Sequence, residues 1–104
     1  MNQHEPVAFI VDDDEAVRDS LGLLLKAAGV GSRSYDSAEA FLAEFDPREY
    51  GCLLLDIRMP GMGGLELQTV LQQRNVALPI VFITAHGDVP MAVEAVRRGA
   101  VDFI

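Results

Sequence analysis

The sequence lacks the features that mark membrane-spanning and secreted proteins. No stretch approaches the roughly 18 consecutive apolar residues that a membrane span requires, and residues 1–6 have neither the basic flank nor the apolar core of a signal peptide. The single cysteine, Cys52, excludes an internal disulfide and fits a reducing cytoplasm, where we expect the chain to act. Because Cys52 opens an apolar run, we expect its thiol to be buried.

Positive charge is also scarce. Lys and Arg number 8 against 16 Asp and Glu, which gives a formal net charge of -8 at pH 7. Phosphate backbones repel an acidic surface, so we do not expect this chain by itself to bind DNA or RNA, although a longer protein could carry a nucleic-acid-binding segment elsewhere. The glycine-rich segment at residues 59–64 does not match a P-loop, and nucleotide binding therefore has little support.

What the sequence does have is a regular alternation of two patterns. Apolar runs typical of buried strands alternate with segments whose apolar residues recur at helical spacing. The strands are predicted at residues 7–11, 32–35, 52–55, 80–83 and 101–104, and the helices at 15–28, 38–45, 65–74 and 90–98. Such alternation implies right-handed parallel crossovers with helices on both faces of one sheet. We therefore predict an α/β fold in which residues 1–104 form one domain that ends within the fifth strand.

Residues at the helix ends support these boundaries. Asp14 and Ser37 are predicted N-caps of the first and second helices, and Gly29 and Gly99 should end the first and fourth. The first helix should present one apolar face at helical spacing. That face comprises Val17, Leu21, Leu24, Leu25 and Ala28.

Three of the predicted strands end in side chains that carry oxygen. Asp12 and Asp13 follow the first strand, Asp56 follows the third and Thr84 follows the fourth. The carboxyl ends of parallel strands share one edge of the sheet, where open α/β sheets bind ligands. Two carboxylates ~4 Å apart repel by about 4 kcal/mol at an effective dielectric of 20, so such a cluster needs a cation or a proton. Mg²⁺ suits it, whereas zinc would require Cys or His ligands at suitable spacing.

A carboxylate beside a bound Mg²⁺ can also act chemically. An oxygen of Asp56 can attack phosphorus to form an aspartyl phosphate, and phosphoryl transfer asks the protein mainly for alignment and charge neutralisation. The Thr84 hydroxyl could hydrogen-bond a phosphoryl oxygen, although its residue type alone is more typical of an ordinary strand residue. His86 has no visible partner in the sequence, and we interpret it as an exposed loop residue.

Taken in order, these motifs resemble the receiver domain of bacterial two-component response regulators. The resemblance covers nearly the whole chain, and residues 87–95 resemble the FixJ-like subgroup in particular. The matching segments are residues 10–14, 55–64, 83–85 and 99–103.

The resemblance implies a flavodoxin-like, doubly wound parallel sheet of five strands in the order 2-1-3-4-5. It also implies that Asp56 is the phosphoacceptor, which receives its phosphoryl group from a sensor histidine kinase. Asp13, Asp56 and the backbone carbonyl of Arg58 would bind Mg²⁺ directly, and Asp12 would act through water or as an additional ligand.

Two further residues of the resemblance concern the response to phosphorylation. Thr84 would sense the phosphoryl group, and Phe103 would be the switch aromatic that rotates inward as Thr84 moves. The family also carries a lysine beyond the fifth strand and a fifth helix. This sequence stops at Ile104, before either, so we expect a C-terminally truncated domain with exposed apolar surface where the fifth helix is absent.

The predicted function is therefore a phosphorylation-controlled signalling receiver and not an enzyme. Its output would be a transcription-activating domain outside this chain, and the resemblance allows a homodimer that forms on phosphorylation. Two alternatives stay open: a protein-interaction module that no longer takes phosphate, and a Mg²⁺-dependent aspartyl-phosphate hydrolase. The second is disfavoured because such enzymes often place an acid two residues after the nucleophile, where this chain has Arg58.

Overall fold

The computed structural model describes residues 5–84 and 88–104 and contains one parallel sheet with helices between its strands. The strands are β1 (Val7–Val11), β2 (Gly31–Tyr35), β3 (Gly51–Asp56), β4 (Ile80–Ile83) and β5 (Asp102–Phe103). The helices are α1 (Glu15–Ala27), α2 (Ala38–Glu44), α3 (Gly64–Gln73) and α4 (Val89–Arg97). The strand order is β2-β1-β3-β4-β5, the flavodoxin-like order that was predicted, with β5 reduced to a two-residue strand. Each predicted boundary lies within one residue of the observed one.

The predicted helix ends are present. The Asp14 carboxylate accepts a hydrogen bond from the Ala16 N–H at 2.9 Å, and the Ser37 hydroxyl accepts one from the Ala40 N–H at 3.0 Å. Each bond satisfies a backbone donor that the first turn of a helix leaves unpaired. Gly29 follows α1 with a φ of 79°, a left-handed conformation that glycine adopts without a steric penalty.

The main core lies between the sheet and the helices α2, α3 and α4. Phe9, Val11, Leu53, Leu55 and Phe82 from the central strands are fully buried there. Burying one such side chain contributes roughly 1.5–3 kcal/mol relative to leaving it exposed. Two of these residues, Val11 and Leu55, are partners in the register of β1 and β3. The packed core thereby fixes the residues that come directly after them, Asp12 and Asp56.

The other face of the sheet is only partly covered. The helix α1 packs on β1 and β2 and leaves the face of β3 and β4 open. No residue of α1 itself is buried. The expected apolar face is therefore wrong in part: Leu24 is 67% exposed and Ala28 is exposed too. The four apolar residues of β3 and β4 with side chains on this face are all partly exposed. They are Cys52, Leu54, Val81 and Ile83.

The prediction of a buried Cys52 thiol is corrected by the same observation. Its side chain is only partly buried, since no helix of the described residues lies over this part of the sheet. Partial burial still raises the pKa of the Cys52 thiol above its usual value.

Candidate functional site

Asp12, Asp13 and Asp56 meet at the carboxyl edge of the sheet. Because β1 and β3 are neighbours in register, the residues that end them lie side by side. Each of the three residues offers one carboxylate oxygen, and these oxygens all lie within 4.8 Å of one another. Asp12 is buried, Asp56 is half-buried and Asp13 is exposed. The structure thus brings together the three acids that the sequence predicted to converge, and leaves them open to solvent on one side.

Asp12 is held in place by the turn that leads into α1. Its carboxylate accepts a hydrogen bond from the Asp14 N–H at 2.9 Å, and its backbone carbonyl accepts one from the Arg18 guanidinium, also at 2.9 Å. Its own N–H donates to the Tyr35 carbonyl at 3.2 Å. A residue that is only 3% exposed therefore has its backbone and side chain fixed by separate partners. Such fixed geometry is what a metal-binding or reactive site requires.

The cluster strongly perturbs the protonation of Asp56. Burial, and next the negative charge of Asp12, raise the pKa of Asp56 from its usual range to about 7. The Arg58 N–H, which donates to the Asp56 carboxylate at 3.3 Å, opposes this effect. Burial likewise raises the pKa of Asp12, against the Asp14 N–H bond. The site therefore binds protons near neutral pH unless a cation replaces them.

The loop after Asp56 is braced by neighbouring helices. The Glu39 carboxylate on α2 accepts the Met62 N–H at 3.3 Å, and Gly64 at the start of α3 donates to the Ile57 carbonyl at 2.9 Å. Sequence reasoning missed Glu39, because an acid in the first turn of a helix is already explained by the helix dipole. No local sequence pattern would have identified its contact with a loop that lies 23 residues further along the chain.

Arg58 connects this loop to α4. Its guanidinium is paired with the carboxylate of Asp88, the residue that immediately precedes α4. The Asp88 side chain is 4% exposed and that of Arg58 is 67% exposed. Sequence reasoning considered Arg58 only for its carbonyl and did not single out Asp88. A contact between residues 30 positions apart depends on the tertiary fold.

Thr84 lies at the same edge, but its hydroxyl is bonded to Ile104, the residue after β5. Ile83 is the register partner of Asp56, so Thr84 follows at the end of the neighbouring strand. Its Oγ1 donates to the Ile104 carbonyl at 2.8 Å, and its N–H donates to the same oxygen at 2.8 Å. The hydroxyl would have to leave this bond to reach a group on Asp56.

Two of the sequence predictions concern atoms that the structure does not describe. The Phe103 backbone pairs with Phe82 in the register of β4 and β5, but its side chain lies outside the described part, so its role as switch aromatic stays a prediction. His86, with Ala85 and Gly87, also lies outside the described residues.

A cavity of about 700 Å³ opens at the opposite edge of the sheet. Phe45, Tyr50, Leu71 and Pro79 are among its lining residues, and Gly51 at the beginning of β3 borders it. It is separated from Asp56 by the length of β3. This cavity and the acidic cluster are therefore separate features of the fold.

Comparison with known proteins assigns the family. Residues 8–104 match the response regulator receiver domain. The chain is 47% identical over 103 residues to the response regulator protein TmoT of Ectopseudomonas mendocina and 47% identical over 96 residues to the transcriptional regulatory protein FixJ of Bradyrhizobium diazoefficiens. These alignments cover 99% and 92% of the chain, respectively, and 47% of each relative.

The solved structures agree with the sequence relatives. The response regulator StyR superposes with a TM-score of 0.90 at 50% identity, over 96% of this chain and 50% of that one. The chain thus spans about half the length of the relatives that it matches. Among the described residues, no helix is long and apolar enough to cross a membrane. With the parallel sheet, the converging acids and these matches over nearly its whole length, the chain belongs to the response regulator receiver domain family.

Proposed function

We propose that this chain is a phosphorylation-controlled signalling receiver. Asp56 accepts a phosphoryl group from a sensor histidine kinase and thereby changes the activity of an output domain outside this chain. The observation that carries the proposal is the meeting of the Asp12, Asp13 and Asp56 carboxylates within 4.8 Å on an accessible sheet edge. A reactive carboxylate with charge-neutralising capacity beside it is what phosphoryl transfer to an aspartate needs.

The donor set of the cluster fits Mg²⁺. All three side chains offer hard oxygen ligands, and Mg²⁺ binds through one or two carboxylates while keeping several waters. Asp13, Asp56 and the backbone carbonyl of Arg58 would hold the ion directly, and Asp12 would act through water or as an additional ligand. When bound, the ion supplies positive charge that offsets the developing charge on the phosphoryl oxygens. It also favours the ionised form of Asp56, whose pKa is about 7 without it.

The chemistry requires only the carboxylate and a phosphodonor. A carboxylate oxygen of ionised Asp56 attacks the phosphorus of a phosphohistidine, the P–N bond breaks, and the imidazole nitrogen keeps the electron pair and takes up a proton. The Arg58 N–H, already 3.3 Å from the Asp56 carboxylate, helps to orient the attacking group. Thr84 would sense the product after its hydroxyl gives up the present bond to the Ile104 carbonyl.

The output in this proposal is transcriptional. FixJ, one of the relatives, is a transcriptional regulatory protein of about twice the length of this chain. The chain's own charge of -8 disfavours direct contact with DNA, so a further domain would make it. The surface formed by α4 and β5 exposes Val89, Val93 and Val101, and it would pass the signal to that domain or to a second copy of the receiver. Phe103 would move as the switch aromatic beside it.

The test is phosphorylation by a small-molecule donor. Incubated with acetyl phosphate and Mg²⁺, the chain should gain one acid-stable, base-labile phosphoryl group by intact mass, and Asp56→Asn should gain none. Asp46→Asn is the matched control, because Asp46 is a partly exposed acid paired with Arg48, outside the cluster. Equal labelling of the Asp56→Asn variant, or no labelling of the unmodified chain, would refute the proposal. The second result would favour the phosphate-independent interaction module.

A further inference from the structure

The Arg58–Asp88 ion pair joins the phosphoacceptor loop to the beginning of α4. Arg58 is two residues beyond Asp56, and Asp88 is the N-cap residue of α4. The Asp88 side chain is almost completely buried, and its Oδ2 finds no hydrogen-bond partner among the residues that the structure describes. A buried carboxylate is costly unless it is paired. The position of α4 at this end therefore depends on one exposed arginine.

The other end of α4 is also held by polar contacts. The buried Gln68 side chain on α3 donates from Nε2 to the Ala95 carbonyl at 3.0 Å, and the Gln72 side chain donates to the Arg98 carbonyl. Gln68 Oε1, like Asp88 Oδ2, is buried without a partner within the described part of the chain. A polar network that is only partly satisfied stabilises one arrangement weakly and can change to another.

From these contacts we propose that Arg58 changes its partner when Asp56 is phosphorylated. In the unphosphorylated chain its guanidinium binds Asp88, and in the phosphorylated chain it binds the phosphoryl oxygens and releases the start of α4. The inference rests on the proposed phosphorylation of Asp56. It assigns the side chain of Arg58 a positioning role that is separate from the metal-binding role of its backbone carbonyl.

Charge and reach both favour this exchange. A phosphoryl group adds about -1.5 to -2 charges at pH 7, and an arginine fork binds phosphate oxygens better than a single carboxylate oxygen. The Arg58 backbone N–H already contacts the Asp56 carboxylate, so the side chain begins beside the site. Because the Arg58 side chain is 67% exposed, little packing holds it against Asp88.

The consequence for α4 follows from the burial of Asp88. Once Arg58 leaves, the carboxylate cannot remain buried with a full charge and no partner. It regains water only if the first turn of α4 moves outward or the side chain swings out. Either movement changes the surface that carries Val89 and Val93, both of which are exposed on α4. A charge added at Asp56 is thereby converted into a displacement of a helix.

Nuclear magnetic resonance of the isotopically labelled chain can observe the exchange directly. The Nε–Hε signal of Arg58, assigned by its absence in Arg58→Gln, reports the bond to Asp88. Acetyl phosphate with Mg²⁺ should move this signal and the backbone amide signals of Ala92 and Val93. In unphosphorylated Arg58→Gln, the two α4 amides should already lie displaced toward their phosphorylated positions, and phosphorylation should move them by less than half of the normal distance.

Two further variants complete the test. Asp88→Asn removes the buried charge but keeps the shape, so it should still be phosphorylated. Before phosphorylation, its Arg58 Nε–Hε signal should already lie away from the position seen in the Asp88-bound chain. Arg48→Gln removes an exposed arginine from the local pair with Asp46 and should behave as the unmodified chain does. If the chain is phosphorylated but the Arg58 signal does not move, the proposed exchange of partners is wrong and the phosphorylation of Asp56 still stands. The same conclusion follows if phosphorylation moves the α4 amide signals of Arg58→Gln by the full normal distance. If no variant is labelled, both proposals fail.

Discussion

Gly64 and Asp56 are in backbone contact, so close that no other residue type fits at position 64. A Cβ built on Gly64 would lie 2.3 Å from the Asp56 carbonyl oxygen and 3.0 Å from the Cα of Ile57. The beginning of α3 thus lies directly against the end of β3, at the residue that carries the Asp56 carboxylate. The position of Asp56 therefore depends on the absence of a side chain at Gly64, as well as on the burial of the preceding residue, Leu55.

Gly64→Ala should therefore damage both stability and the site. The new methyl group can fit only if the Asp56 backbone or the first turn of α3 moves, and overpacking of this kind costs typically 1–3 kcal/mol. We expect the free energy of unfolding, measured by urea denaturation, to fall by about that amount. Labelling by acetyl phosphate should fall with it, because Asp56 no longer has its fixed position.

The matched control for this change is Gly31→Ala. Gly31 begins β2, and a Cβ there would meet no atom within 4 Å. Its effect on unfolding should stay within about 0.5 kcal/mol, as for most surface substitutions. A Gly64→Ala variant as stable and as readily labelled as Gly31→Ala would show that the close contact does not constrain the site.

The acidic cluster could be predicted from sequence because its cause is local. Apolar runs define where β1 and β3 end, and parallel strands present their carboxyl ends at one edge. Asp12 and Asp56 were therefore predictable from a few residues on either side. Their convergence needed only the neighbourhood of the two strands, which the resemblance to receiver domains supplied.

The features that escaped prediction depend on tertiary contacts. The periodicity of α1 groups Leu24 with Leu21 and Leu25, but periodicity cannot tell how much of the sheet a helix covers. Sequence reasoning did not single out Asp88, although its side chain is buried in the folded chain, where it precedes α4. Glu39 on α2 accepts a hydrogen bond from Met62, which belongs to the loop between β3 and α3. In each case the decisive partner is distant in sequence.

Removal of one acid from the cluster should lower the affinity of the chain for Mg²⁺. Asp13→Ala deletes one of the three converging carboxylates, and it is the exposed one, so the fold should tolerate the change. We expect the affinity for Mg²⁺ to fall at least about tenfold, the low end of what losing even an outer-shell partner costs. Isothermal titration with MgCl₂ measures the affinity directly. The control is Asp19→Ala, because Asp19 is an exposed acid on α1 away from the cluster. If Asp13→Ala binds Mg²⁺ as tightly as this control does, Asp13 is not a ligand of the metal site.

The raised pKa of Asp56 predicts how stability changes with pH in the absence of divalent cations. The folded chain holds the Asp56 proton up to pH about 7, whereas the unfolded chain releases it near the ordinary value of 3.8. Between these values the folded state binds more protons, so the free energy of unfolding falls as pH rises. Asp12, whose pKa burial also raises, contributes in the same direction.

Urea unfolding in EDTA at about pH 5 and about pH 8 measures this slope. Asp56→Asn should flatten it and should be more stable than the unmodified chain at the higher pH, because the amide removes the repulsion of Asp12. Mg²⁺ should stabilise the unmodified chain more at the higher pH, since the ion binds ionised carboxylates. Asp46→Asn should leave the slope unchanged, because Arg48 lowers the pKa of Asp46 to about 2. The contribution of the Asp46 carboxylate to the free energy of unfolding is therefore complete above pH about 4 and is lost only as the pH falls toward 2. A slope in Asp56→Asn as steep as in Asp46→Asn would mean that Asp56 does not hold the extra proton.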